Sequence, residues 1–182
     1  MRRWYLFGGI LATVLATDII TKSIVVGALA PGDSVSVIGT AVQWTHTRNI
    51  GGAFSLFRIE NPVARGAFFF TAAAIAMSFM IYLLFRHGSD LGARVSLAMI
   101  MGGTLGNVID RVRFQNVIDF VEVNLGFWPF DPWPIFNVAD SGICIGVGLL
   151  FLRLHALEKM ERRNGVSADS VVSGAHPHRD QA

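Results

Sequence analysis

Asp18, Asp110 and Asp140 sit inside or at the rims of segments apolar enough to cross a membrane, and Asp119 lies between two such segments. A charge at the bilayer centre costs about 2.5–3.5 kcal/mol even on the milder insertion scale, so such groups must lie near an interface, be paired, or face a polar interior. Chemistry is the first expectation for them. Asp119 and Asp140 suit it best as a pair. Two carboxylates held close cannot both ionise cheaply, so they share a proton; one can activate water while the other donates to a carbonyl oxygen. Each also has a plainer reading. Asp140 suits the positive end of a helix, although it falls deeper in its segment than a bare cap. Asp119, as a loop carboxylate, could simply be solvated. Glu122 is a rival to Asp119 and reads as a solvated or interfacial side chain.

Other polar groups keep company with these acids. Asn107, Asp110 and Arg111 follow Gly102, Gly103 and Gly106, and the four-residue spacing of Gly102 and Gly106 permits close helix approach. Asn107 and Arg111 share a helix face, with Asp110 at i+3 from Asn107. Arg111 can pair with Asp110 or grip a phosphate or a backbone carbonyl, so a structural clamp and a substrate contact both stay open. Asn137 lies one turn before Asp140 and could orient it. Asp18 and Lys22 have the favourable acid-first i, i+4 order, which reduces the cost of both charges. Arg48-Asn49-Ile50-Gly51-Gly52-Ala53-Phe54 is either a substrate-contacting loop or a plain turn.

Several chemistries lack their residues. There is no HExxH zinc motif, the five histidines do not cluster near the acids, and no His or Lys stands near Ser141 in sequence to activate it. Gly102-Gly103-Thr104-Leu105-Gly106 is not followed by the Lys-Ser/Thr of a phosphate loop. A carboxylate metal site from Asp110, Asp119 and Asp140 is a minor alternative. The expectation is no metal and no cofactor.

The elements that must position these residues read as membrane helices. The chain is 52% hydrophobic over 182 residues, and four stretches, about 4–27, 66–85, 91–112 and 132–152, approach or exceed the roughly 20 residues that span hydrocarbon. The first, after Arg2 and Arg3, is too long for a leader's apolar core and reads as an anchor. Cys144, the one cysteine, excludes an intrachain disulfide and reads as a small hydrophobe. If four helices alternate, Arg2, Arg3, Arg86, Arg94, Arg153, Lys159, Arg162 and Arg163 fall on one side. Arg48, Arg58, Arg65 and Arg113 fall on the other, a moderate bias that favours both termini in the cytoplasm. The net charge of +2 therefore marks orientation and not nucleic-acid binding. With that topology Asp18, Asn107, Asp110, Asp119 and Asp140 all arrive near the outer face.

Two outer loops, about 31–62 and 113–134, complete the core. In the first, Ser34-Val35-Ser36-Val37 and Val42-Gln43-Trp44-Thr45 alternate at period two around Gly39-Thr40, which predicts a small hairpin. The second is crowded with Phe120, Phe127, Trp128, Phe130 and Trp133, either an interfacial belt or the packing of a tiny outer domain. The core thus runs over 1–155. Residues 156–182 are expected as a cytoplasmic tail whose polar end is disordered and dispensable.

Five blocks together resemble the bacterial lipoprotein signal peptidases, the signal peptidase II family. They are Asp18-Ile19-Ile20-Thr21-Lys22, Asn49-Ile50-Gly51-Gly52-Ala53-Phe54-Ser55, Gly102 through Arg111, Val117-Ile118-Asp119-Phe120 and Phe136-Asn137-Val138-Ala139-Asp140-Ser141. They occur in family order with family-like spacing from residue 4 to about 155, and no functional position departs from the pattern. The resemblance implies an α-helical integral membrane protein. Its fold would be four transmembrane helices, a small extracytoplasmic β-cradle and a short interfacial helix above the site. It implies an aspartic endopeptidase of the bacterial inner membrane, with Asp119 and Asp140 as the catalytic dyad, and four helices can form a complete monomer. Asp18, Lys22, Asn49, Gly51, Asn107, Asp110, Arg111 and Asn137 would support the site or bind substrate. The implied partners are membrane lipids and diacylglyceryl-modified prolipoproteins, cleaved just before the lipidated cysteine. Two other classes compete on the residues alone. A transporter would want polar residues at several depths, and a noncatalytic scaffold would tolerate loss of Asp119 or Asp140.

Overall fold

The computed structural model describes residues 2–51, 59–126 and 133–173. Gly52, Ala53, Phe54 and Ser55 of the glycine-rich loop, Phe127, Trp128 and Phe130 of the aromatic loop, and tail residues 174–182 lie outside the described residues. In chain order the elements are α1 (Arg2–Ala28), β1 (Ser34–Ile38), β2 (Val42–Asn49), α2 (Pro62–His87), α3 (Leu91–Phe114), β3 (Val117–Val123) and α4 (Val138–Ser173).

Among the described residues, three helices are long and apolar enough to cross a membrane, over Trp4–Ala28, Pro62–His87 and Val138–Met160. Their large apolar side chains point outward: Ile24 of α1, Phe79 and Phe85 of α2 and Phe151 of α4 are all exposed. An apolar exterior of this extent suits lipid and not water. The third predicted stretch forms α3, whose 24 residues are about 36 Å long at 1.5 Å per residue. It is not among the three apolar spans, because Arg94, Asn107, Asp110, Arg111 and Arg113 interrupt it. Its position explains its polarity. α1, α2 and α4 all pack against α3, so Arg94, Asn107, Asp110 and Arg111 meet protein, while Arg113 near its end is exposed.

Local signals set the ends of these helices. Asn61 caps α2 by accepting from the N–H groups of Val63 and Ala64, each at 3.0 Å, with Pro62 in the first turn. Asp90 caps α3 by accepting from Ala93 N–H at 2.9 Å. Asp90 also takes a two-pronged ion pair from Arg153 of α4, at 2.9 and 2.6 Å. Beside it the buried Arg94 donates to the carbonyls of Gly88 and Ser89. Next along α3, Leu97 and Ile100 join Met80, Leu83 and Leu150 in the buried apolar cluster. One half of α3 is therefore sealed by hydrocarbon, and Asn107, Asp110 and Arg111 occupy the other.

The strands form one antiparallel sheet of order β1-β2-β3. The predicted hairpin is present as β1 and β2, with Val35 opposite Trp44. β3 was not predicted as a strand, yet Val117, Ile118, Val121 and Val123 suit a pleated, half-buried surface. Phe120 is buried edge-on against Trp44, ring centroids 6.1 Å apart, so for this aromatic the packing alternative holds over the belt. Gln115 reverses the chain between α3 and β3 in the left-handed region at φ 59°, where a helix commonly ends. No short interfacial helix is among the described elements. α4 continues to Ser173, into the segment whose composition predicts a polar tail.

Candidate active site

The site is assembled at the start of α4. Asn137 and Asp140 cap this helix reciprocally: the Asn137 side-chain oxygen accepts from Asp140 N–H at 2.8 Å, and Asp140 Oδ2 accepts from Asn137 N–H at 3.2 Å. This is the geometry of a capping box, with Asp in place of the usual Glu or Gln. Asp140 therefore lies in the first turn of α4, not deeper as its position in the apolar segment suggested. One oxygen serves the cap, and the other, Oδ1, accepts from Asn107 Nδ2 at 2.8 Å.

Asp119 reaches the same place from the sheet. It stands on β3 opposite Thr47, not in a loop, and is 2% exposed. Asn49 Nδ2 donates to its Oδ2 at 2.9 Å and Asn137 Nδ2 to its Oδ1 at 2.7 Å. Asn137 thus touches both aspartates, through its amide nitrogen to Asp119 and through the cap to Asp140. Burial, followed by the nearby Asp140 charge, pushes the Asp119 carboxyl up to about 7, against the two amide donors that favour its ionised form. Asn49 is itself fixed by accepting from Gly51 N–H at 2.8 Å.

Arg111 closes one side. Its guanidinium donates to the carbonyls of Asn107 and Gly51, at 3.2 and 3.3 Å, and lies 4.3 Å from the centroid of the Phe69 ring. Of the alternatives open in the sequence, gripping backbone carbonyls is the one this geometry displays. Phe69 is a residue that the sequence reading missed, since nothing in an apolar run marks the one ring that stacks on a cation.

Behind the aspartates lies a buried charge cluster. Lys22, 2% exposed, places Nζ 2.7 Å from Asp18 Oδ2, 2.9 Å from Asp110 Oδ2 and 3.1 Å from Asn107 Oδ1. Asp18 also accepts from Ala139 N–H at 2.9 Å, and Asp110 from Ile118 N–H at 3.1 Å. The predicted Asp18–Lys22 pair is present, with Asp110 as a third member. Asp110 is committed to this cluster, and among the described residues no group of three or more His, Cys, Asp or Glu is placed to hold a metal ion. Close approach of the helices needs the glycines. A Cβ at Gly106 would overlap Asp18 Oδ2, and one at Gly103 would overlap the Ala139 carbonyl oxygen.

A cavity of about 540 Å³ opens over this arrangement, with Asp119, Asp140, Asn49, Asn107 and Arg111 on its polar side. Trp133, Ile135, Phe136, Ile143 and Ile145 make the rest apolar. Cys144 is exposed and lines this cavity. Glu122 does not line it; its carboxylate accepts from the Thr45 hydroxyl across the sheet. The Ser141 hydroxyl donates to Asn137 O at 3.1 Å, so it is engaged by the backbone. A cavity lined both by the two carboxylates and by apolar side chains can take a substrate part peptide, part lipid.

The family model for Signal peptidase (SPase) II matches residues 10–156, which include every residue named in the polar cluster. A lipoprotein signal peptidase of Janthinobacterium sp. is 42% identical over 142 residues, covering 78% of this chain and 82% of that protein. The one from Geobacter metallireducens is 38% identical over 161 residues, 87% of this chain and 96% of its own length. A bacterial membrane enzyme solved by the in meso method at 2.3 Å resolution superposes with a TM-score of 0.73 at 32% identity, covering 82% of this chain and 87% of that one. Sequence match and fold agree over most of the chain, and the chain belongs to the signal peptidase II family.

Proposed function

We propose that this protein is a membrane aspartic endopeptidase that removes signal peptides from diacylglyceryl-modified prolipoproteins, cutting just before the lipidated cysteine. The observation that carries the reading is the bridging of Asp119 and Asp140 by Asn137 at the polar end of a largely apolar cavity. With its carboxyl raised to about 7, Asp119 holds the shared proton near neutral pH. Asp140 then takes a proton from water as the water oxygen bonds to the scissile carbonyl carbon. Asp119 gives its proton to the carbonyl oxygen, completing a neutral tetrahedral intermediate. On collapse the carbon–nitrogen bond breaks, Asp140 protonates the leaving amine, and the hydroxyl proton returns to Asp119. The buried Asp119 and the half-buried Asp140 are already hydrogen-bonded and need little reorganisation for these steps.

The proposed setting is the bacterial inner membrane, with α3 as a fourth span, both termini cytoplasmic and the cavity near the outer face. Arg94 and Arg153 at the α2–α3 turn, at the opposite end of α3 from Asn107, support that orientation. The enzyme works as a monomer on this reading, because one chain supplies every group of the site. The test is cleavage of a diacylglyceryl-modified lipobox peptide by wild type, Asp119→Asn and Asp140→Asn in lipid, beside an unlipidated peptide. Turnover by wild type of the lipidated peptide alone, lost in both folded variants, is expected. Full activity in either variant overturns the two-aspartate mechanism.

A further inference from the structure

Lys22 lies outside the chemistry just described, yet its three partners all lead to it. An ammonium has three N–H donors and no acceptor, and here each direction is occupied by Asp18, Asp110 or Asn107. Asp18 holds the N–H of Ala139, the residue immediately before Asp140. Asp110 holds the N–H of Ile118, the residue immediately before Asp119. Asn107 donates directly to Asp140. One cation on α1 therefore ties down the backbone beside each aspartate and one side chain that touches Asp140.

The third arm has a directional effect. An asparagine amide is nearly symmetric in shape, so its partners decide which end is oxygen. A pure donor at one end makes that end the acceptor and turns the NH2 outward. Lys22 faces Asn107 Oδ1, and Asn107 Nδ2 then points to Asp140 Oδ1. The other donor to Asn107 Oδ1 is Asn137 Nδ2 at 3.2 Å, an amide that also serves Asp119 at 2.7 Å. Lys22 is thus the charge-assisted donor that keeps this amide from flipping.

We propose that Lys22 is the positioning residue that sets the spacing of Asp119 and Asp140 and the amide orientation of Asn107. This rests on the two-aspartate reading. Its alternative is plain neutralisation of Asp18 and Asp110, in which case Lys22 matters to folding alone. Removing one partner of a buried ion cluster leaves uncompensated charge, whereas removing all the charges together need not destabilise. The experiment therefore compares Lys22→Met with the neutral triple variant Lys22→Met/Asp18→Asn/Asp110→Asn. Both are tested for thermal unfolding and for kcat and KM on the lipidated peptide.

The expected result is a triple variant that folds with kcat lowered about 100-fold, the cost of roughly 1 Å of misplacement, and KM little changed. A folded triple variant with wild-type kcat, or with the loss confined to KM, overturns the proposal. A second measurement covers a triple variant that does not fold. Lys22→Gln offers one amide to three acceptors, so kcat falls again, and it falls less on an Asn107→Ala background than on wild type. Wild-type kcat in Lys22→Gln, or equal losses on both backgrounds, overturns it too. Wild-type enzyme that never cleaves the peptide overturns the peptidase reading instead, so the two failures are distinct.

Discussion

Asp119 is where burial becomes pH dependence. Its carboxyl is raised to about 7, so its protonated form, which the proposed mechanism needs, is depleted as pH rises through that value. We expect kcat/KM to fall over that range. In Asn49→Ala one of the donors that favour the carboxylate is lost, so the alkaline limb should move upward in a pH–rate profile. Stability has a matching sign. A folded-state value above the unfolded value means that the native state binds the extra proton, so this contribution is present in full below about pH 4 and is lost as pH rises through about 7. Thermal unfolding followed between those pH values should show it, and an Asp119→Asn variant should have a flatter profile. At this scale the sequence was informative about identity: Asp18, Asn49, Asn107, Asp110, Asp119, Asn137 and Asp140 all lie in the cluster, and only the rival Glu122 stands outside it, bonded to Thr45. It did not reveal the partnerships. Asn137 joining two carboxylates depends on β3 and α4 meeting in space, which no local spacing encodes.

At the scale of elements, helix contact is set by where side chains are missing. Gly106→Ala drives a methyl group into Asp18, and overpacking of this kind costs about 1–3 kcal/mol. Gly148→Ala on α4 has nothing within 4 Å of its added Cβ, so it should leave stability unchanged or raise it slightly. Chemical or thermal unfolding of the two variants in one detergent decides the point. The α2–α3 turn gives an acid-sensitive contact. Arg153 holds the Asp90 carboxyl down to about 2, so the stability it lends is present above about pH 4 and fades as pH falls towards 2. Arg153→Gln should reduce that acid sensitivity, with a small loss at neutral pH because Arg153 is partly exposed. The helices were legible because apolar runs of this length have few other uses. β3 was obscured by Asp119 and Glu122, polar residues inside its apolar run, and the cap of α4 by hydrophobic residues that precede the helix.

The whole molecule places an apolar seal at one end of α3 and a polar cluster at the other. On the four-span reading, Ser89 and Leu125 stand on opposite sides of the membrane. In a Cys144→Ala background, Ser89→Cys should react with an impermeant thiol reagent only from the cytoplasmic side, and Leu125→Cys only from the outer side. Labelling of both from one side would reject the topology. The same arrangement governs synthesis. Asp18 and Lys22 emerge early and Asp110 and Asp119 later, but the N–H of Ala139 and the Asn137 bridge belong to the last helix. On the two-aspartate reading, until α4 is made the nascent chain has one carboxylate but no second one to share its proton, so proteolytic competence arrives only when the final span docks.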